Sequence, residues 1–152
     1  MEEKQIYTYK AKTAEQKLAL ETLKQCHSFL EKKLGVETNL YLINDKRKKN
    51  ADISGLYNHK NNVVVINLAT LKNQPIKESI DVLSHEMRHA LQYKNKWLKS
   101  NKKGEGSYWK GKLYNVEYEK QPWEKDARNW ARKYSDMAIS SLSLYKKAKI
   151  KL

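Results

Sequence analysis

Midway along the chain the sequence reads Ser84-His85-Glu86-Met87-Arg88-His89, an H-E-x-x-H pattern set in a stretch of helical periodicity. Residues four apart on an α-helix stand one above the other on one face, so the imidazoles of His85 and His89 can approach a single zinc ion with Glu86 beside its open position. Histidines at this spacing also occur as ordinary core or surface residues, and the helical wheel separates the two cases. At about 100° per residue, Ile76, Ile80, Leu83, Met87 and Ala90 form one apolar arc. His85, His89 and Gln92 fall nearly opposite that arc, while Asp81, Ser84 and Arg88 mark a third, polar sector. The histidines therefore do not extend the core stripe, and their face needs another explanation, such as a cleft. Pro75 is expected to begin the helix, which runs to about Tyr93.

Catalytic zinc takes three protein ligands and leaves a fourth position to water or substrate. His27 and His59 lie upstream, no histidine follows His89, and Gln92, Tyr93, Lys94 and Asn95 occupy the region where an extended motif would place a third one. The downstream carboxylates are Glu105, Glu117, Glu119, Glu124, Asp126 and Asp136. Glu124 is the best placed, in the first turn of a helix opened by Gln121-Pro122 and at the edge of its apolar arc. The same position suits a second role, because a glutamate two residues after a proline at the first helical position complements the helix dipole and can cap. Spacing alone leaves ligand and cap open.

The rest of the chain predicts an α+β arrangement. Leu20, Leu23, His27, Leu30 and Leu34, with Ala19 and Cys26 alongside, predict a helix over 11–34 that Gly35 ends. His27 reads as a core-lining residue because no partner ligand is placed with it, and Cys26 as a small buried residue. Residues 36–43, a short segment with Ile53, Leu56 and Tyr57 around Gly55, and the apolar run 63–68 predict a sheet of about three strands between two helices. Residues 1–10, with Ile6, Tyr7 and Tyr9, read as an arm or a short strand. Residues 94–107 are expected as a mobile loop, and 108–118 as a hairpin or an irregular aromatic segment. Trp123, Ala127, Trp130, Ala131, Tyr134, Met137 and Ala138 then line one arc of a third helix, and 142–152 continues it or forms a short extra one.

A chain of 152 residues fits one ordinary domain, so a single domain spanning 1–152 is expected. Its one cysteine excludes an intrachain disulfide and suits a reducing compartment. With no apolar run near eighteen residues and no apolar N-terminal segment, a soluble cytoplasmic protein without a membrane span is expected. Lys and Arg outnumber Asp and Glu by 31 to 17, for a net charge of +14. That balance attracts nucleic acid, acidic proteins or a membrane surface. The lysines are scattered, with runs at 44–50 and 94–103, and no helix-turn-helix or aromatic stacking motif accompanies them. A basic nucleic-acid- or partner-binding protein is accordingly the competing class.

His85-Glu86-x-x-His89-x-x-Gln92 followed by Pro122-x-Glu124-x-x-Ala127 resembles the small gluzincin-like metallopeptidases, or minigluzincins, and the related phage and mobile-element peptidases of the ImmA/IrrE type. The likeness covers roughly 35–140. It implies a zincin-like domain with His85, His89 and Glu124 as ligands of one catalytic zinc ion, Glu86 as general base, and a peptide or protein substrate. The strand Val63, Val64, Val65, Ile66 and Asn67 would match the edge strand that lines the cleft and pairs with an extended substrate. Tyr93, Tyr114 and Tyr118 are candidate oxyanion donors or substrate contacts by residue type, with packing beside the cleft as their other role. Larger gluzincins carry an aspartate four residues after the glutamate ligand. Here that position is Arg128, and Asp126 is expected to point elsewhere. The function implied is a zinc-dependent endopeptidase, with a self-inhibited or inactive scaffold, its cleft filled by the arm or the 94–107 loop, as a further alternative.

Overall fold

The structure is a computed structural model that describes residues 5–7, 10–47, 54–69 and 76–149. Pro75 and Ile53, expected at a helix start and in a strand, lie outside the described residues. Helix α1 (Ala14–Leu34) starts three residues later than its periodicity suggests, because Thr13 takes the cap. The Thr13 hydroxyl accepts from the Gln16 N–H at 3.1 Å and the Gln16 side chain accepts from the Thr13 N–H at 3.2 Å, a reciprocal capping box. Gly35, at φ 67°, ends the helix in the left-handed conformation that glycine adopts without a Cβ penalty. Inside, Leu23, Cys26 and Leu30 are fully buried. Burial pushes the Cys26 thiol up to about 12, so it packs as a small apolar residue. His27 is core-lining as expected, its Nε2 lying 2.8 Å from Thr38 Oγ1.

The main sheet has four strands rather than three: β1 (Gln5–Tyr7), β2 (Asn39–Ile43), β3 (Gly55–Asn58) and β4 (Val63–Asn67), in the order β1-β2-β4-β3. The extra strand comes from the N-terminal segment, which pairs parallel to β2. β4 runs parallel to β2 and antiparallel to β3. This corrects the expectation that Val63, Val64, Val65, Ile66 and Asn67 form the substrate-pairing edge: both sides of β4 are already hydrogen-bonded. The physical reason is in its composition, since an unbroken apolar run is the mark of a strand buried on both faces and flanked on both edges. The sheet's edges are β1 and β3, and β3 is shorter and less apolar than β4.

Helix α2 (Ile76–Lys94) buries Ile80, Leu83, Met87 and Ala90 against α1 and the sheet, the arc that the periodicity picks out. Residues 94–107 are not a simple loop. β5 (Leu98–Ser100) pairs with β6 (Ser107–Trp109), which pairs with β7 (Lys112–Tyr114) in a second, antiparallel sheet. The two-residue turn of the β6–β7 hairpin is Lys110-Gly111, with φ of 50° and 87°, the double positive φ of a turn that matches strand twist. A 3-10 turn at Tyr118–Lys120 leads into α3 (Pro122–Ser140), and the tail forms a short extra helix, α4 (Leu144–Lys149). Tyr134, Ala138 and Ile139 of α3 complete the core. No described helix is long and apolar enough to cross a membrane.

Candidate metal centre

α2 and α3 pack so that the first turn of α3 lies over the histidine face of α2. Pro122 occupies the first helical turn and Gln121 caps without a side-chain bond. The Glu124 carboxylate is thereby turned to the histidines rather than back to the helix N-terminus. His85 Nε2 lies 2.9 Å from Glu124 Oε1 and His89 Nε2 lies 2.9 Å from Oε2. One ligand atom from each of the three residues lies within 4.8 Å of the other two.

These donors fit a divalent ion. Zinc ligands at about 2.0–2.2 Å in tetrahedral array stand about 3.3–3.6 Å from one another; the nitrogen–oxygen separations of 2.9 Å are shorter than that and the whole set spans no more than 4.8 Å, so the donors bracket the spacing an ion needs. Burial alone would push the Glu124 carboxyl up, but bonds from His85, His89 and Tyr118 hold it well below the usual carboxylate range. The set therefore offers two imidazole nitrogens and one anionic oxygen, with a fourth position left open. Glu86 is outside this donor group. Its carboxyl is pushed up by burial, a shift that the nearby His89 and His85 reduce, the Glu124 charge reinforces and a hydrogen bond from the Tyr57 backbone N–H reduces.

That Tyr57 bond identifies which strand borders the site. Asn67 N–H donates to Ser54 O at 2.8 Å, and antiparallel pairing alternates along the strand. Gly55 and Tyr57 therefore turn their backbone groups away from β4, toward Glu86. The cleft beside His85 and Glu86, about 580 Å³, is lined also by Gly55, Val82, Tyr118 and Arg128. A Cβ on Gly55 would lie 2.5 Å from Val82 Cγ1 and 3.0 Å from Val65 O, so only glycine lets β3 rest against α2 at this point. Gly55→Ala is expected to destabilise the fold by about 1–3 kcal/mol in a denaturant titration. Adding Val82→Ala should recover part of that loss; an unchanged midpoint for the single variant would contradict the close approach.

Of the three candidate tyrosines, Tyr118 reaches the donors: its hydroxyl donates to Glu124 Oε1 at 3.0 Å. Burial and the Glu124 charge push its phenol up to about 12. The Tyr93 ring stacks on His59, centroids 4.3 Å apart, and its hydroxyl bonds Ser100. Tyr114 lies on β7 beneath Lys112. Among the described residues neither Tyr93 nor Tyr114 bonds the three donors, although burial and the Glu124 charge push the Tyr93 phenol up.

Sequence reasoning missed three residues. Gln92 Oε1 lies 2.8 Å from His89 Nδ1, and Gln92 Nε2 donates to Trp123 O at 2.9 Å and to Asp126 Oδ2 at 2.8 Å. Asp126 also accepts a fork from Arg88, through Nε at 2.8 Å and Nη2 at 3.0 Å. The expectation that Asp126 points away from the site is corrected: it faces α2 one turn beyond the histidines, where Gln92 carries its contact back to His89. Arg88, assigned to a polar sector, is buried between the rings of Trp97 and Trp130, 5.3 and 4.8 Å from their centroids. Ser84, in the same sector, is fully buried and donates to Ile80 O. α2 is covered on two faces, and a wheel read for one apolar stripe cannot show the second. The available signal was Gln92 three residues after His89 on the same face.

No curated protein and no solved structure matches the chain. The model of the SprT-like family matches residues 19–129, a span that holds the H-E-x-x-H helix, the strands from β2 to β7 and Glu124. That family is zincin-like and related to metallopeptidases, in keeping with the α+β layout and the His85, His89 and Glu124 cluster. The narrower likeness to phage and mobile-element ImmA/IrrE-type peptidases receives no support from the comparisons. With more than half of its length matched, the chain belongs to the SprT-like family.

Proposed function

We propose that the chain is a zinc-dependent endopeptidase, with His85, His89 and Glu124 as the ligands of one ion. The observation that carries this reading is the convergence of those three side chains beside a half-buried carboxylate, Glu86, that is not one of them. Zinc, when bound, supplies Lewis acidity that activates water and polarises a scissile carbonyl. A His/His/Glu set favours zinc over the harder cations that prefer all-oxygen cages.

The protein's own groups then have distinct tasks. Glu86, its carboxyl raised by burial and oriented by the Tyr57 N–H, takes the proton of the attacking water and returns it to the leaving amine. Tyr118 keeps its proton and stands beside Glu124, so by turning its O–H from Glu124 Oε1 it serves as donor to the carbonyl oxygen as charge develops there. The outward backbone groups of β3 that Glu86 leaves free, those of Gly55 and the Tyr57 carbonyl, pair with an extended peptide laid along the cleft. The one cysteine is buried, which suits work in a reducing cytoplasm.

The test is metal analysis and hydrolysis of an unfolded protein substrate by the full chain. One zinc per chain, activity abolished by a chelator and activity restored by added zinc are expected. Zinc-loaded protein with no cleavage would favour the inactive scaffold, and salt-sensitive nucleic-acid retention that survives chelation would favour the basic binding protein.

A further inference from the structure

The bonds around Gln92 fix more than a contact. Its amide nitrogen faces Trp123 O and an Asp126 carboxylate oxygen, and both of those can only accept. The amide therefore has one workable orientation, because turning it over would set its oxygen against two acceptors. Its oxygen is left facing His89 Nδ1 at 2.8 Å. An amide oxygen cannot donate, so the proton between the two belongs to Nδ1. His89 is thereby held with Nδ1–H toward Gln92 and with its Nε2 toward Glu124.

Asp126 is held in its turn. Its two oxygens receive the Arg88 fork, and Arg88 is clamped by Trp97 and Trp130 and donates to the Tyr134 hydroxyl at 2.7 Å. Planar bidentate pairing of this kind sets direction as well as distance. Each member is tied to both α2 and α3, so the packing of the two helices is transmitted to one ring. His85, with its side chain 17% exposed, has no comparable bonded chain among the described residues.

We infer that Gln92 is a positioning residue: braced by Asp126 and Arg88, it fixes the ring orientation and proton placement of His89 and so aims Nε2 at the metal. The inference rests on the metal reading above and adds that the two histidines are unequal. His89 is the pre-set ligand and His85 the adaptable one. Outer partners of this type typically contribute about 10–100-fold to metal affinity.

The experiment uses the full chain with zinc alone, read by competition against a chelator and by imidazole proton exchange in nitrogen-15 spectra. Gln92→Met keeps length but offers His89 only a weak sulfur acceptor and gives Trp123 and Asp126 no donor. It is expected to weaken zinc by about 10–100-fold and to expose the His89 Nδ1 proton of the zinc-loaded protein to rapid exchange. Asp126→Asn, which keeps side-chain shape, should speed the same exchange with a smaller loss of affinity. In the Gln92→Met background it should add less than about twofold, since the path to His89 is already cut. Unchanged zinc affinity and unchanged exchange in Gln92→Met overturn the inference, as do fully additive losses in the double variant. If Gln92→Met fails to fold, exchange in Asp126→Asn decides by itself: a His89 proton as protected as in the parent overturns it. A parent chain that binds no zinc overturns the metal reading itself, an outcome distinct from a parent that binds and a variant that does not differ.

Discussion

Glu86→Gln is expected to keep one zinc per chain and to lower peptide hydrolysis by about 100- to 10,000-fold, the usual contribution of a positioned general acid–base group. The separation of the two readouts follows from the geometry. Glu86 is not among the converging donors, so its replacement leaves all three ligands in place. The glutamine oxygen can still accept from the Tyr57 N–H that orients the glutamate, and shape is retained against β3. What is lost is the ability to hold a proton in transit. Burial raises the Glu86 carboxyl while the neighbouring histidines oppose that rise, which brings its affinity for a proton closer to that of the groups it must exchange with. Metal analysis beside turnover checks the prediction. Zinc lost together with activity would make Glu86 a ligand or a folding residue, and activity within a few-fold of the parent would remove it from the chemistry.

The part of this site that repeats along one helix is legible in the sequence itself. His85, Glu86 and His89 declare themselves by spacing, and Pro122 followed by Glu124 marks a first turn whose carboxylate has two available roles. The structure brings Glu124 to the histidines because α3 crosses α2 there, and crossing is a property of packing rather than of either helix. For the same reason Arg88 and Asp126 do not reveal themselves in the sequence: each looks like a solvent-facing polar residue on its own helix and becomes a partner only when the second helix arrives, while Gln92 shows its place on the histidine face but not its bonds to α3. β4 misleads in the opposite direction. Its apolar run is the strongest strand signal, and that strength marks a strand with neighbours on both sides, whereas the strand beside Glu86 is short and begins with a glycine. The 94–107 segment carries glycine and charge like a loop; the glycines at 104 and 106 do mark a turn, but the three-residue β5 beside it is too short to declare itself as a strand.

Glu124→Ala is expected to lose zinc under conditions in which Glu86→Gln retains it, with affinity reduced by more than the about 10–100-fold typical of an outer partner. Glu124 is the only anionic member of the converging group, and a pair of imidazoles leaves both charge and a third bond unmet. The fold should survive. α2 and α3 remain joined through Arg88, Asp126, Gln92 and the Trp123 carbonyl, none of which uses Glu124. Loss of Glu124 costs about 0.3–1 kcal/mol in helix-dipole terms and about 1–3 kcal/mol more for the bonds that His85, His89 and Tyr118 give up, less than the about 5–15 kcal/mol that holds a typical domain folded. Far-ultraviolet circular dichroism of the metal-free forms should therefore coincide for parent and variant while zinc titrations diverge. Removal of Glu124 also frees the Tyr118 hydroxyl from its bond at 3.0 Å, so any residual hydrolysis in excess zinc reports on a site whose oxyanion donor is present and whose ligand is not. Full zinc stoichiometry at parent affinity would leave the histidine pair as the whole site and return Glu124 to the helix-terminal role its position also allows.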